Sequence, residues 1–197
     1  MMGQYETAVA RFNEWLDLAG ETEGIPEPTA MTLATATASG RPSARTVLLK
    51  QVDEDGFVFY TNSLSRKGRQ LAANARAALT FFWAPLMRQV MIEGAVQPVS
   101  DVEADAYFAS RPRLSQIGAW ASQQSEPLAG REAFDARVAE VEARFADRPV
   151  TRPPHWMGYR VCPDMIEFWQ GREGRLHDRE RYSRDENGSW DWTLLNP

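Results

Sequence analysis

Two stretches near the C-terminus hold the residue types for chemistry on an anionic ligand. They are Ile166-Glu167-Phe168-Trp169-Gln170-Gly171 and Arg175-Leu176-His177-Asp178-Arg179. Read as a strand over 176–184 that begins beside Arg175, the second segment alternates its side chains with period two. Arg175, His177 and Arg179 then project from one face, and Leu176, Asp178 and Glu180 from the other. Three neighbouring nitrogen-rich side chains repel one another unless an anion lies against them; the alternative is a solvated basic edge strand. His177 is one of only 2 histidines, and the aromatic segment before it suggests a buried strand feeding the basic one. An arginine keeps its proton, so Arg175 can orient a ligand and stabilise charge, whereas His177 can hold or pass a proton.

A second set of cations lies upstream, in Arg45-Thr46-Val47-Leu48-Leu49-Lys50 and in Ser65-Arg66-Lys67-Gly68. Of 22 Lys plus Arg, only Lys50 and Lys67 are lysines. An ammonium is a compact point charge that the planar guanidinium fork does not replace. Arg66 and Lys67 fall at an expected helix start, where free backbone N–H groups and the helix dipole favour an anion. A phosphate-binding corner and a solvated helix face both fit this pattern. The 45–50 segment likewise fits either a ligand-facing strand or an apolar core strand with polar ends.

These residues need a scaffold, and 197 residues with 43% hydrophobic and 25% charged side chains suffice for one globular domain with a real core. An amphipathic helix is expected over 7–19, a linker over 20–28 and then strands over 31–37, 43–50 and 57–61. Ser65 should cap a short helix ending near Asn74, followed by strands over 77–83 and 89–99. Ser100-Asp101-Val102-Glu103 is a capping-box pattern opening a helix to about Ser110; residues 114–121 and 131–145 also read as helical. Strands over 158–161, 165–169, 176–184 and 190–194 complete the chain. Successive strands joined by tight turns predict a mainly β architecture, an antiparallel barrel with flanking helices, rather than alternating βαβ units. We divide it into an N-terminal helix and linker, 1–29, and a barrel domain, 30–197.

Composition also excludes partners. The net charge of −5 gives no global support to nucleic-acid binding. No apolar run approaches the roughly 20 residues of a membrane span, and Met1-Met2-Gly3-Gln4 opens no secretory leader, so a cytoplasmic location is expected. One cysteine, Cys162, and two histidines leave no metal set and no internal disulfide.

The string from Glu167 to Arg179 resembles the C-terminal signature of the pyridoxamine/pyridoxine 5′-phosphate oxidases. Further segments match that family in order and spacing: Arg45 to Lys50, Tyr60-Thr61, Ser65-Arg66-Lys67-Gly68, Arg88-Gln89-Val90, Ser110-Arg111-Pro112, Gln116 to Ser122, Gln124-Ser125 and Pro153-Pro154-His155-Trp156. The resemblance runs from about Ala30 to the end. It implies a Greek-key split barrel of the FMN-binding type and a homodimer with flavin mononucleotide (FMN) at the subunit interface. It also implies oxidation of pyridoxamine or pyridoxine 5′-phosphate to pyridoxal 5′-phosphate, with hydride passing from C4′ to flavin N5 and O2 becoming H2O2.

Carried over by position, the resemblance assigns Arg45, Thr46, Val47, Leu48, Leu49, Lys50, Tyr60, Thr61, Arg66, Lys67, Gln89, Gln124, Ser125, Trp169 and Arg179 to the cofactor. Substrate falls to Lys50, Tyr107, Arg111, Ser115, Arg175, Leu176 and His177, with Arg175 and His177 as the catalytic pair. Tyr107, Arg111 and Ser115 are spaced by four and would stack on one continuing helix if Pro112 opens a new turn. His155 reads as structural. Two positions depart from the pattern: Glu180 stands where an apolar residue is usual, and Leu194 where an arginine is usual. Glu180 faces away from the catalytic pair, so it needs a cationic neighbour or water. One rival is another FMN enzyme on the same split barrel, such as a phenazine-pathway oxidase or a flavin reductase, and another is a non-enzymatic flavin or pyridoxal-phosphate carrier, which needs no Arg175 and His177; Tyr107, Arg111, Ser115, Arg175 and His177 together favour the vitamin B6 oxidase.

Overall fold

The computed structural model describes residues 3–197. Its strands are β1 (Ala30–Ala36), β2 (Pro42–Leu48), β3 (Gln51–Asp53), β4 (Gly56–Asn62), β5 (Arg76–Trp83), β6 (Arg88–Pro98), β7 (Trp156–Gln170), β8 (Asp178–Arg184) and β9 (Trp190–Leu195). Among the described residues they form one 9-stranded sheet in the order β2-β1-β5-β6-β7-β4-β3, with β8 on β7 and β9 on β8. Every pairing is antiparallel. The sheet curls until β2 approaches β4, giving the antiparallel barrel expected from the run of turn-linked strands, of the split form that the family resemblance implies.

The turns have the chemistry that the sequence supplies. Ser39-Gly40 closes the β1–β2 hairpin with Gly40 at φ +84°, a left-handed position that a side chain resists. Alternation then sets the core: Met31 and Leu33 of β1, Leu79 and Phe81 of β5, Val90 and Ile92 of β6, and Ile166 and Phe168 of β7 all point inward and are buried.

Helix α1 (Gln4–Glu21) closes the open side of this core. It begins three residues before the expected start because the Gly3 N–H is capped by the Glu6 carboxylate. Its buried stripe is Ala8, Phe12, Trp15 and Ala19. The Phe12 ring meets Phe57 and Phe81 edge-on at 5.0 Å, and Trp15 meets Phe168 at 5.2 Å.

Helix α2 (Arg66–Ala73) is capped by Ser65, whose Oγ accepts the Gly68 N–H at 3.3 Å. Gly68 lies so close to the Ser63 carbonyl that a Cβ has no room. Helices α3 (Asp101–Ser110), α4 (Arg113–Ala121) and α5 (Arg131–Arg144) flank the barrel. They enclose a second core of Phe108, Ile117, Phe145, Val150 and Trp156. The box expected at α3 forms by half: Ser100 Oγ accepts the Glu103 N–H, but the Glu103 carboxylate turns to Arg160 at 3.4 Å.

Two expectations are corrected here. Residues 158–161 and 165–169 belong to one 15-residue strand, β7, rather than two. Pro163 is tolerated because the register shifts beside it, between Glu93 and Gly94 of β6, and Asp164 bulges out to pair with Arg76. The strand expected from residue 176 starts only at Asp178; the chain before it is a 3₁₀ turn, Glu173–Arg175.

Candidate active site

The upstream cations meet at one end of the barrel. Arg45 on β2 pairs in register with Leu33 on β1, and its guanidinium folds back over the hairpin. It donates to the Leu33 carbonyl at 3.0 Å, Thr35 Oγ1 at 2.7 Å and Ser43 Oγ at 2.7 Å. Gln70 on α2 completes the cluster by accepting from both Thr35 and Ser43. Sequence reading missed Thr35, Ser43 and Gln70, although the first two face each other across the hairpin that the Ser39-Gly40 turn dictates.

Lys67, in the first turn of α2, is 8% exposed and donates to Thr61 Oγ1 at 3.2 Å and Gln124 Oε1 at 3.0 Å. The adjacent Arg66 N–H donates to Ser125 Oγ, and Ser125 sits at φ +75°. Lys67 therefore is not the solvated helix-face cation that one reading of the sequence allowed. Burial, and next the Arg45 charge, hold its ammonium below the ordinary lysine range. Burial and then Arg66 lower Arg45 in the same way. Among the described residues no carboxylate bonds Arg45, Arg66 or Lys67, so this corner is a concentration of positive charge with donors unspent. Thr46 and Lys50 are exposed beside it, Val47 and Leu48 are half-buried, and Leu49 is buried.

Two of the residues expected at the substrate phosphate, Tyr107 and Arg111, lie in a second cluster with Tyr60 and Trp156. Tyr60 of β4 stacks on Tyr107 of α3 at 4.1 Å and on Trp156 of β7 at 4.9 Å. The Arg111 guanidinium lies over the Trp156 ring at 4.9 Å, and its Nη1 is buried without a partner. Burial pushes the Tyr60 phenol up to about 12, helped by the Glu103 carboxylate and Tyr107. The single helix expected to carry Tyr107, Arg111 and Ser115 is not formed. Helix α3 stops at Ser110, Arg111 is extended at ψ 148°, and Pro112 is the N-cap of α4 instead of its first residue. A residue before proline resists the helical conformation, and that breaks the run. Lys50 is tied alongside β4 by its N–H to the Val58 carbonyl, two residues from Tyr60.

The third group lies on the outer face of β6, β7 and β8. Gln89 pairs with Trp169, and Trp169 with Arg179, so the three form a row across the sheet. Arg179 is not a bare cation: buried Glu167 accepts from its Nε at 2.9 Å and its Nη2 at 2.8 Å. Arg175 and His177 leave the row because they belong to the turn, not the strand. Gly174 and Arg175 take φ +64° and +62°, and Arg175 and Leu176 are exposed. His177 packs on Trp169 at 4.6 Å, and its Nδ1 accepts the Arg172 N–H at 3.1 Å. The other ring nitrogen, Nε2, then carries the proton. Arg172 bonds Asp178 and closes the turn. His155 bridges elements, its Nε2 against the Ala119 carbonyl and its own carbonyl accepting the Ser63 N–H.

Glu180, on the opposite face of β8, has the cationic neighbour it needs: Arg11 of α1 pairs with both its oxygens, and Trp192 Nε1 donates at 3.1 Å. Leu194 is exposed. Among the described residues no group of three or more metal-ligating side chains occurs, and no helix is long and apolar enough to cross a membrane.

Residues 21–145 match the family described as pyridoxamine 5′-phosphate oxidase, and residues 156–197 match the pyridoxine 5′-phosphate oxidase C-terminal dimerisation region. A pyridoxine/pyridoxamine 5′-phosphate oxidase of Rubrobacter xylanophilus is 58% identical over 189 residues, covering 96% of this chain and 86% of that protein. One of Alkalilimnicola ehrlichii is 58% identical over 193 residues, 98% of each. Among solved structures, PhzG from Burkholderia lata in complex with tetrahydrophenazine-1-carboxylic acid is 36% identical, with a TM-score of 0.89 over 100% of this chain and 98% of that one. A pyridoxamine 5′-phosphate oxidase-related, FMN binding protein from Nostoc punctiforme, 17% identical with a TM-score of 0.76 over all of both chains, shares the fold. With both regions matched and full-length relatives more than half identical, the chain belongs to the pyridoxamine 5′-phosphate oxidase family.

Proposed function

We propose that this protein is an FMN-dependent oxidase that converts pyridoxamine 5′-phosphate and pyridoxine 5′-phosphate to pyridoxal 5′-phosphate, with O2 reduced to H2O2. The observation that carries this reading is the presence of two separate phosphate-grade cation sites. The Arg45–Arg66–Lys67 corner fits a cofactor monophosphate: three cations beside a helix start, Lys67 lowered by burial and the Arg45 charge, and Arg45 by burial and the Arg66 charge. Arg111, with a buried free Nη1 beside Tyr107, fits a second phosphate, that of the substrate.

FMN supplies the hydride acceptor when bound. The chain's residues do the rest. Lys67, Thr61, Arg66, Ser125 and Arg45 hold the cofactor phosphate end, and Gln89, Trp169 and Arg179 offer a polar and aromatic row for its ring. Arg111, Tyr107, Lys50 and Ser115 anchor the substrate phosphate. Arg175 orients the substrate and stabilises developing charge, since it cannot act as a base. His177 presents a proton at Nε2 while Trp169 and the Arg172 N–H fix its ring. Among the described residues no hydrogen bond or ion pair joins the upstream corner to the Gln89–Trp169–Arg179 row. A homodimer, in which the row of one subunit faces the corner of the other, completes the site; Trp169, Arg175, His177 and Arg179 all fall in the dimerisation-region match.

The likeness to PhzG supports a second reading, oxidation of a phosphate-free tricyclic acid. Such a substrate does not need Tyr107, Arg111 and Ser115 together, since it carries a carboxylate in place of a phosphate. An aerobic assay of the purified protein with each phosphate ester and with tetrahydrophenazine-1-carboxylic acid, following H2O2 and the product aldehyde, separates the two. Turnover of the phosphate esters is expected; turnover of the tricyclic acid alone replaces the reading. Arg111→Ala should raise KM for the esters roughly 10- to 150-fold, the loss of one charge-assisted contact, and leave unphosphorylated pyridoxine, a poor substrate, unaffected.

A further inference from the structure

We infer that Trp156 is a positioning residue for the substrate-phosphate clamp: its indole face holds the Arg111 guanidinium in place, and its effect on the reaction passes through that arginine. The inference deepens the proposed function and rests on its assignment of Arg111 to the substrate phosphate.

Arg111 needs an external support. It stands at the break between α3 and α4, extended at ψ 148°, so no helix fixes its side chain. No carboxylate pairs with it among the described residues, and Nη1 is buried with no partner. Burial holds its pKa below the ordinary arginine range, opposed only by the smaller effect of Tyr107. What touches the guanidinium is aromatic: Trp156 at 4.9 Å and Phe108 at 5.7 Å. A cation over an indole face is attracted by the ring quadrupole, most strongly where water is thin, and the contact uses none of the five N–H donors.

The indole is itself immobilised. Trp156 is 6% exposed within the second core, stacked on Tyr60 at 4.9 Å with an interplanar angle of 8°. Tyr60 in turn stacks on Tyr107 at 4.1 Å, so Tyr107 and the support of Arg111 share one pile of rings. The backbone is held as firmly: the Trp156 carbonyl accepts from Arg152 Nη1 at 2.9 Å, and the residue pairs in register with Asn62 at the end of β4. Gln116 steadies the other side by donating to the Phe108 and Ala109 carbonyls just before the break. The clamp therefore hangs from the same β4 end that carries Thr61, the partner of Lys67.

The test is a double-mutant cycle on the FMN-loaded protein with pyridoxine 5′-phosphate, comparing wild type, Trp156→Leu, Arg111→Ala and the double variant. Calorimetric binding of pyridoxal 5′-phosphate and the melting temperature are measured alongside. Trp156→Leu should raise KM and the product Kd roughly 3- to 30-fold, with kcat within about twofold. In the Arg111→Ala background the same change should add less than about twofold, because its target is gone. Trp156→Phe, which keeps an aromatic face, should recover most of the loss and replaces the leucine variant throughout if that one does not fold. Equal KM effects of the Trp156 change with and without Arg111, or a fall in kcat at unchanged KM, overturns the inference. An Arg111→Ala enzyme with unchanged KM overturns instead the assignment of Arg111 on which it rests.

Discussion

At the scale of residues, Lys67 and Arg111 are both cations lowered by burial, yet they are built differently. Lys67 has two neutral oxygens, Thr61 Oγ1 and Gln124 Oε1, and a positive neighbour. Charging it there is costly, so it contributes little to folding and much to an anion that removes the repulsion. Lys67→Met should lower FMN affinity roughly 10- to 150-fold, the scale of one charge-assisted bond. The melting temperature of the flavin-free protein should stay level or rise, because Thr61 and Gln124 still bond each other at 3.1 Å. The sign of the pH dependence follows. The protonated amine pairs with phosphate and its pKa is lowered, so FMN affinity should fall as pH rises through that pKa, earlier than an ordinary lysine allows. Flavin fluorescence titrations across alkaline pH check this; a Lys67→Met protein with the same alkaline loss contradicts it.

At the scale of elements, helix α1 is tied to the back of β8 by Arg11 and Glu180, 169 positions apart. Family resemblance marks Glu180 as a misfit, and taken alone that suggests a stabilising change to phenylalanine. The structure reverses the expectation. Glu180→Phe removes the acceptor of Arg11 Nη1 and Nη2 and of Trp192 Nε1, so it should cost about 1–3 kcal/mol and lower the melting temperature by roughly 2–10 °C. Pairing it with Arg11→Leu should restore most of the loss, which calorimetry on the two variants measures. The Arg11 bond holds the Glu180 carboxyl below its ordinary value, against a smaller opposing effect of burial. Its stabilisation is thus present above the unfolded carboxyl's pKa and disappears as pH falls through the lower folded one. Glu180→Gln should flatten that acid limb.

The same elements indicate what a sequence can and cannot disclose. The β1–β2 hairpin, the Ser65 and Ser100 caps and the inward stripe of α1 follow from local turn chemistry and periodicity, and they were legible. Arg175 and His177 kept their place in the sequence pattern but not in the strand, because Gly174 and the Arg172–Asp178 pair favour a turn that period two does not register. Gln70 under Arg45, Glu167 under Arg179 and Arg11 against Glu180 are contacts between distant segments. Each side chain is ordinary by itself, so only the fold reveals the pairing.

At the scale of the whole molecule, the proposed division of the site between the corner of one subunit and the row of another implies that assembly and cofactor binding are one event. The outer face of β5, β6, β7 and β8 carries Phe82, 55% exposed, directly opposite Gln89, which continues into Trp169 and Arg179. A large apolar side chain in line with polar ring contacts suits the buried centre of a subunit interface better than open solvent. Phe82→Glu places a charge there without touching the barrel core, since the inward neighbours Phe81 and Trp83 are unchanged. The expected product is a folded monomer with the far-ultraviolet spectrum of the native protein and little or no bound flavin, because the Arg45–Arg66–Lys67 corner then lacks the ring-side row of a partner. Sedimentation across a concentration series and flavin absorbance on the same samples read both properties together. A monomer that retains stoichiometric FMN places the whole cofactor site within one chain and refutes the shared-site arrangement; a dimer that retains it removes Phe82 from the interface.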